Sequence, residues 1–254
     1  LNQADNLKIK YSEMDYKLAL KPSALLNFLQ DLASENAEQL GFGYSYIRNR
    51  NLMWFIIKYR MEFTDYPVSV YDLTIKTEPR GCNKLFAFRD FWLYEGDKML
   101  AQIASTWSLV DINSKSIVPP QSALNNEYMP AFEKRESDLN YKKIRPLEKI
   151  DISKTFEIRY DDIDVNCHAN NGNYIIWAFE PLSFEFKSSH KLKILDIQFK
   201  KEIKFGQKVL SEIEFKDKKT TVHVIKNSDT GEDLCLVEAV WTCLLYTSPS
   251  PRDT

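Results

Sequence analysis

The sequence predicts an α+β protein made of two copies of one unit, each a long helix followed by an antiparallel sheet that wraps around it. Three observations carry this. Leu25, Leu26, Leu29, Leu32, Ala33 and Leu40 recur at helical spacing between Pro22 and Gly41. Runs rich in aromatic and β-branched residues follow, broken by short turn signals. The same order of elements then returns after an interval rich in proline and charge.

In the first copy, a weakly alternating segment from Leu7 to Tyr16 precedes the helix. Met53 to Phe63, Val68 to Thr77, Lys84 to Tyr94 and Met99 to Asp111 read as strands. Tyr66-Pro67, Pro79-Arg80-Gly81 and Glu95-Gly96-Asp97 read as the turns between them. From Ile112 to about Ile150, Pro119-Pro120, Pro130, Pro146 and the charged run Glu133-Lys134-Arg135-Glu136 mark a linker. The second copy offers the helical run Tyr174 to Phe179, then strands at Lys193 to Phe205, Lys208 to Phe215, Thr220 to Lys226 and Leu234 to Trp241. The expected organisation is therefore a domain over 1–112, a linker over 113–150, a second domain over 151–242 and a tail over 243–254.

The copies align by eye. Ile9-Lys10-Tyr11-Ser12-Glu13-Met14-Asp15 matches Ile158-Arg159-Tyr160-Asp161-Asp162-Ile163-Asp164, Tyr59 to Phe63 matches Phe199 to Ile203, and Ala104 to Trp107 matches Glu238 to Trp241. A pseudo-twofold pairing of the units is expected, and a homodimer of the chain is a further expectation, since units of this kind are stable as pairs.

Chemistry concentrates in the second copy. Asp164, Asn166 and His168 stand at alternate positions, so an extended segment would put them on one face and Val165, Cys167 and Ala169 on the other. The Asn170-Asn171-Gly172-Asn173 cluster supplies N-cap chemistry before the helix, placing backbone N–H groups and a positive dipole end nearby. Carried back onto the first copy, the trio becomes Asp15, Lys17 and Ala19. The polar set is lost there, which suggests binding in the first half and reaction in the second. Taken singly, Asp164 and Asn166 also suit turns and caps, and His168 suits a structural histidine.

Composition excludes several classes. A net charge of -2 gives no overall case for nucleic acid, and no run is long and apolar enough to span a bilayer. No export pattern is seen at Leu1 to Asp5, so the cytoplasm is the expected compartment, with Cys82, Cys167, Cys235 and Cys243 reduced. His168, His190 and His223 lack metal-site spacing, and a calcium loop starting at Asp162 would need Gly where Cys167 stands and Glu where Asn173 stands. No metal or cofactor is expected. The last residues, through Tyr246-Thr247-Ser248-Pro249-Ser250-Pro251-Arg252-Asp253-Thr254, resemble a translated sequencing adapter and are set aside as a non-native tail.

Asp164-x-Asn166-x-His168-x-Asn170-Asn171 with Tyr174-Ile175-x-Trp177, together with Phe199-Lys200-Lys201-Glu202 and Thr106-Trp107-x-Leu109-Val110-Asp111, resembles the plant and bacterial acyl-acyl-carrier-protein thioesterases over roughly residues 7 to 242. The resemblance implies a tandem double hotdog fold, hydrolysis of fatty acyl-acyl-carrier-protein to end chain elongation, and acyl carrier protein as partner. It also places the catalytic groups at Asp164, Asn166, His168 and Glu202. A cysteine sometimes proposed beside the glutamate is Ile203 here, so a thiolate mechanism is not supported, and Cys167 would face away from the trio.

Hydrolysis needs a base for water and donors for the developing oxyanion. The expected roles are Glu202 as base, on the more polar face of its strand, Asn166 orienting water or carbonyl, and His168 as donor or shuttle. Asp164 would fix the imidazole, with the N–H groups of Asn171 and Gly172 as oxyanion donors. Trp54, Phe55 and Phe88, among other aromatic residues, would line the acyl tunnel, and Arg80, Lys84 and Arg89, or Lys200, Lys201 and Lys204, would meet the acidic carrier. The rival readings are a thioesterase acting on coenzyme A esters, a dehydratase, and a catalytically silent acyl-carrier binder.

Overall fold

The computed structural model describes residues 2–124 and 129–243. The tail expected over 243–254 lies outside them except for Cys243, which is the last residue of a strand and so belongs to the fold. In the first half, β1 (Gln3–Lys8) leads to α1 (Pro22–Gln39) and the short α2 (Tyr44–Arg48). The strands β2 (Leu52–Phe63), β3 (Asp72–Cys82), β4 (Ala87–Glu95) and β5 (Lys98–Asp111) follow, then β6 (Ile117–Val118) and α3 (Pro120–Ala123). The second half holds β7 (Ile152–Glu157), α4 (Asn171–Phe179), α5 (Phe184–Ser189), β8 (His190–Phe199), β9 (Lys208–Phe215), β10 (Thr220–Asn227) and β11 (Asp233–Cys243).

Helix α1 begins on Pro22, whose fixed φ suits the first turn and whose missing N–H is not needed there. It stops before Gly41, which takes a left-handed φ of 83°. Its apolar stripe, Leu25, Leu26, Leu29 and Leu32, joins Tyr174, Ile175 and Ala178 of α4 in a core that runs through both halves. The second helix is shorter than the expected long one. It ends at Phe179, with Glu180 as its cap, just before Pro181, which has no N–H to continue the helix.

Among the described residues eleven strands form one sheet in the order β1-β3-β4-β5-β2-β8-β11-β10-β9-β7, with β6 beside β5. Each half contributes one curved side, and the sides join where β2 pairs antiparallel with β8. Two strand boundaries differ from expectation. Pro79-Arg80-Gly81 is not a turn but a bulge within β3, where Gly81 at φ 88° absorbs a register shift and the ladder to β4 resumes at Phe88. Strand β8 ends at Phe199 rather than Phe205, because its ladder to β11 stops at the pair of Phe199 and Cys235, beyond which the N–H groups of Lys200 and Lys201 both converge on Leu234 O.

Ladder register also corrects the repeat. Arg60 pairs with Ala104 and Asp196 with Glu238, and Ala104 matches Glu238, so Arg60 is the counterpart of Asp196 and Phe63, not Tyr59, that of Phe199. The misalignment is an even shift, which leaves every side chain on its original face and so is invisible to alternation. Arg60 and Asp196 are also direct partners across β2 and β8, joined by a 2.5 Å ion pair, so the pseudo-twofold axis passes between them.

The connection between the halves crosses the outer face of the sheet as a strap. Ala131 bridges to Cys82, Arg80 is bound by Asp138, Ser137 O accepts from Gln102 and Lys58 lies over the Tyr141 ring. Ile144 then packs on Val222, Val224 and Leu236, and Glu148 N–H donates to Glu214 at 2.8 Å.

Candidate active site

Asp164 to Ala169 is not extended. It is a tight loop closed by the bridge between Ile163 and Ala169, in which Asp164 N–H donates to His168 O at 2.8 Å and Cys167 N–H to Asp164 O at 3.0 Å. Cys167 takes φ 63°, a left-handed conformation that ends the alternation assumed from sequence. The Asp164 carboxylate accepts from Asn166 N at 2.8 Å and His168 N at 3.4 Å, the pattern of an Asx turn. Asp164 therefore places His168 through its backbone, and does not fix the imidazole by a side-chain bond as expected.

The loop is anchored by Ala169 N–H donating to Ile203 O at 2.9 Å and Asn170 N–H to Asp162 O at 2.8 Å. The first of these bonds holds the segment after β8 against the loop, and with it Glu202, which lies on that segment and not on a strand. His168 Nε2 sits 3.2 Å from Glu202 Oε2, with the imidazole 16% exposed and the carboxylate 34%. The other imidazole nitrogen, Nδ1, is buried and has no protein partner. Tyr174 supports the segment from below, its hydroxyl donating to Lys201 O at 3.3 Å.

Helix α4 starts beside this pair. The Asn170 side chain caps it by accepting from Gly172 N at 2.8 Å, so that N–H is already engaged and does not serve as the oxyanion donor expected of it. Gly172 suits a close approach: a Cβ there would meet the Asn27 Oδ1 side-chain end at 2.9 Å and the Ser23 O backbone at 3.3 Å on α1. Asn171 faces the cleft, and its side chain donates to Gln30 Oε1 of α1 at 2.8 Å.

Asp164, Asn166, His168, Asn171 and Glu202 line one cleft of about 270 Å³ at the junction of the halves, with Trp54 and Phe55 of the first half on its other wall. Phe88 is not among them. It lines a smaller adjoining cavity of about 70 Å³ that shares Ser34, Trp54 and Trp107 with the cleft. Cys167 is exposed and outside the lining. Among the lining residues that the sequence reading does not assign to the site are Gln30, next to Leu29 of the α1 stripe, and Trp107, which enters that reading only as part of the repeat and of the motif.

The basic residues expected to face a carrier are mostly committed. Arg80 is buried against Asp90 and Asp138, and Arg89 is buried, donating to Asn36 Oδ1 at 2.8 Å and Thr77 Oγ1 at 2.9 Å. Lys200 pairs with Asp233 and Lys201 with Glu232. Lys84 and Lys204 remain exposed. Among the described residues no cluster of His, Cys, Asp and Glu has metal-site geometry, and no helix is long and apolar enough to cross a membrane.

The chain spans about 59% of the chloroplastic oleoyl-acyl carrier protein thioesterase 2 of Arabidopsis thaliana, at 21% identity over 77% of its own length. It matches the chloroplastic dodecanoyl-[acyl-carrier-protein] hydrolase of Umbellularia californica at 23%, over 70% of this chain and 50% of that protein. Among solved structures, a putative oleoyl thioesterase from Lactobacillus plantarum superposes with a TM-score of 0.85 at 25% identity, covering 96% of this chain and 97% of that one. The 12:0-ACP thioesterase of Umbellularia californica gives 0.82 at 16%, covering 95% and 97%, a likeness of fold. These likenesses support the tandem double hotdog that the resemblance implies. Residues 2–128 match the model of the acyl-ACP thioesterase N-terminal domain and residues 146–243 that of its C-terminal domain, and so the chain belongs to the acyl-ACP thioesterase family.

Proposed function

We propose that this chain hydrolyses the thioester of fatty acyl-acyl-carrier-protein, releasing free fatty acid and ending chain elongation. The observation that carries the reading is the 3.2 Å pair of His168 and Glu202 on the polar side of a cleft whose opposite wall includes Trp54 and Phe55. Glu202 takes a proton from water, whose oxygen attacks the thioester carbonyl carbon. His168, bonded to the same carboxylate, relays that proton to the departing sulfur as the carbon–sulfur bond breaks. The Asn166 amide and the backbone N–H of Asn171, which has no intrahelical acceptor in the first turn of α4, offset the charge growing on the carbonyl oxygen. The first half holds the acyl chain and the second half supplies the reacting groups. Lys84 and Lys204 are the cations left for an acidic carrier.

The test is fatty acid release from acyl-acyl-carrier-protein and from acyl coenzyme A by the wild type, Glu202→Gln and His168→Ala. Release from the carrier ester, falling roughly 10²- to 10⁴-fold in either variant, is expected. Equal turnover of both esters would move the substrate to coenzyme A thioesters, and no release from either would leave a silent binder.

A further inference from the structure

A larger cleft, about 720 Å³, lies on the far side of the pseudo-twofold axis and is the twin of the one just described. Its loop has the same construction. Asp15 N–H donates to Ala19 O at 2.8 Å, Leu18 N–H to Asp15 O at 3.0 Å, and Leu18 takes φ 61° where Cys167 takes 63°. The Asp15 carboxylate accepts from Lys17 N at 2.8 Å and Ala19 N at 2.9 Å, as Asp164 does from Asn166 and His168. Leu20 N–H reaches Pro67 O where Ala169 reaches Ile203. Pro67 thus stands for Ile203, so Tyr66 stands where Glu202 does, and its hydroxyl is spent on Leu20 O at 2.6 Å. With Ala19 in place of His168, neither group that moves protons in the first cleft is present here.

The cleft was nonetheless kept, and its charges are unbalanced. Four lysines and three carboxylates line it. Each carboxylate is engaged: Asp15 by the loop amides, Asp65 by Lys98 and Lys191 at 2.9 Å, Glu180 by Lys187 at 3.6 Å. Lys17 and Lys21 are not engaged by any carboxylate among the described residues. Lys17 Nζ donates to the carbonyls of Lys187 and Ser188 at 2.9 and 2.8 Å, and Lys21 Nζ to Ser12 O at 2.9 Å. The remaining wall is apolar, with Ile175, Ile176, Phe179, Leu192 and Trp241.

An apolar cleft of ligand size with two ammonium groups lacking acidic partners suits a molecule with one anionic head and a hydrocarbon tail. We propose that this twin cleft is a non-hydrolytic binding site for a long-chain carboxylate, its head between Lys17 and Lys21 and its tail along Ile176 and Phe179. The ligand class follows from the cavity alone. Only its source, the product released in the other cleft, rests on the function proposed above.

Equilibrium dialysis of the full chain with laurate, a soluble member of the class, tests this. At least one bound equivalent should weaken tenfold or more in Lys17→Ala/Lys21→Ala and again in Ile176→Trp, which fills the cleft without touching the lysines. Dodecanol, with the same tail and no charge, should not occupy it. Laurate binding that is unchanged in both variants, or dodecanol binding as well as laurate, would overturn the proposal. Fatty acid release from acyl-carrier-protein reports separately on the catalytic reading, and its absence would leave the laurate result standing.

Discussion

Asp164 works by folding the loop that carries His168, and the first half contains its own control for that role. Asp15 makes the same amide contacts in a loop with no reacting groups. Removing either carboxylate should cost about 1 kcal/mol of stability, the scale of a lost cap. Asp164→Ala should also lower hydrolysis at least tenfold, while Asp15→Ala leaves it intact. Urea unfolding beside fatty acid release separates the two effects, and equal activity in both variants would refute the positioning role. A second residue sets a pH response. Burial pushes the His223 pKa down to about 3, and its nitrogens lie 2.8 Å from Ala178 O and Thr221 Oγ1. The unfolded chain binds a proton below pH 6.5 that the folded chain refuses, so this contribution is fully present above pH 6.5 and is lost as pH falls toward 3. The slope is about 1.4 kcal/mol per pH unit. Denaturant midpoints at pH 7.5 and 5 should converge in His223→Gln relative to the wild type. Residue types were legible at this scale, since Asp164, Asn166, His168 and Glu202 do share a cleft. What Asp164 bonds to was not, because an Asx turn and an extended segment can use the same Asp-x-Asn spelling.

At the scale of elements, the helix contact at Gly172 decides how close the halves come. Helix propensity alone would favour Ala there by about 1 kcal/mol. The tight contacts with Ser23 O and with the capping Asn170 side chain oppose it. Gly172→Ala is expected to lose about 1 kcal/mol net, and a gain in thermal stability would show that α1 gives way freely. The long helix, the strands and the repeat were readable because each rests on local periodicity. The end of β8 was not. Residues 197 to 205 alternate polar with apolar except at Lys201, yet a strand lasts only as long as its ladder, and the pairing with β11 stops at Phe199 opposite Cys235. Nor could alternation show that Arg80 and Arg89 are buried. A charged residue on a strand reads as solvent-facing until a distant segment, here the strap around Asp138, covers Arg80.

On the scale of the whole molecule, the two halves share a sheet, a core and a strap, so cooperative unfolding is expected. The buried junction carries its own titration. Burial raises the Asp196 carboxyl to about 6 against the pull of Arg60, and its Oδ1 is buried without a partner. The folded chain therefore holds a proton that the unfolded chain releases above pH 3.8, and this contribution to stability is present below that value and fades as pH rises through about 6. The direction opposes that of His223. Asp196→Asn should remove this decline over pH 4 to 6, measured by denaturant midpoints, with the His223 slope unchanged.

The Arg60 and Asp196 pair has one more consequence. Two identical chains meeting about a true twofold would set each axial residue against itself, guanidinium on guanidinium or carboxylate on carboxylate. Once the two units became parts of one polypeptide, evolution was free to make the seam heterotypic, and the seam now discriminates between self and sibling. Fragments 2–128 and 129–243, produced separately, should accordingly seek each other in preference to their own kind.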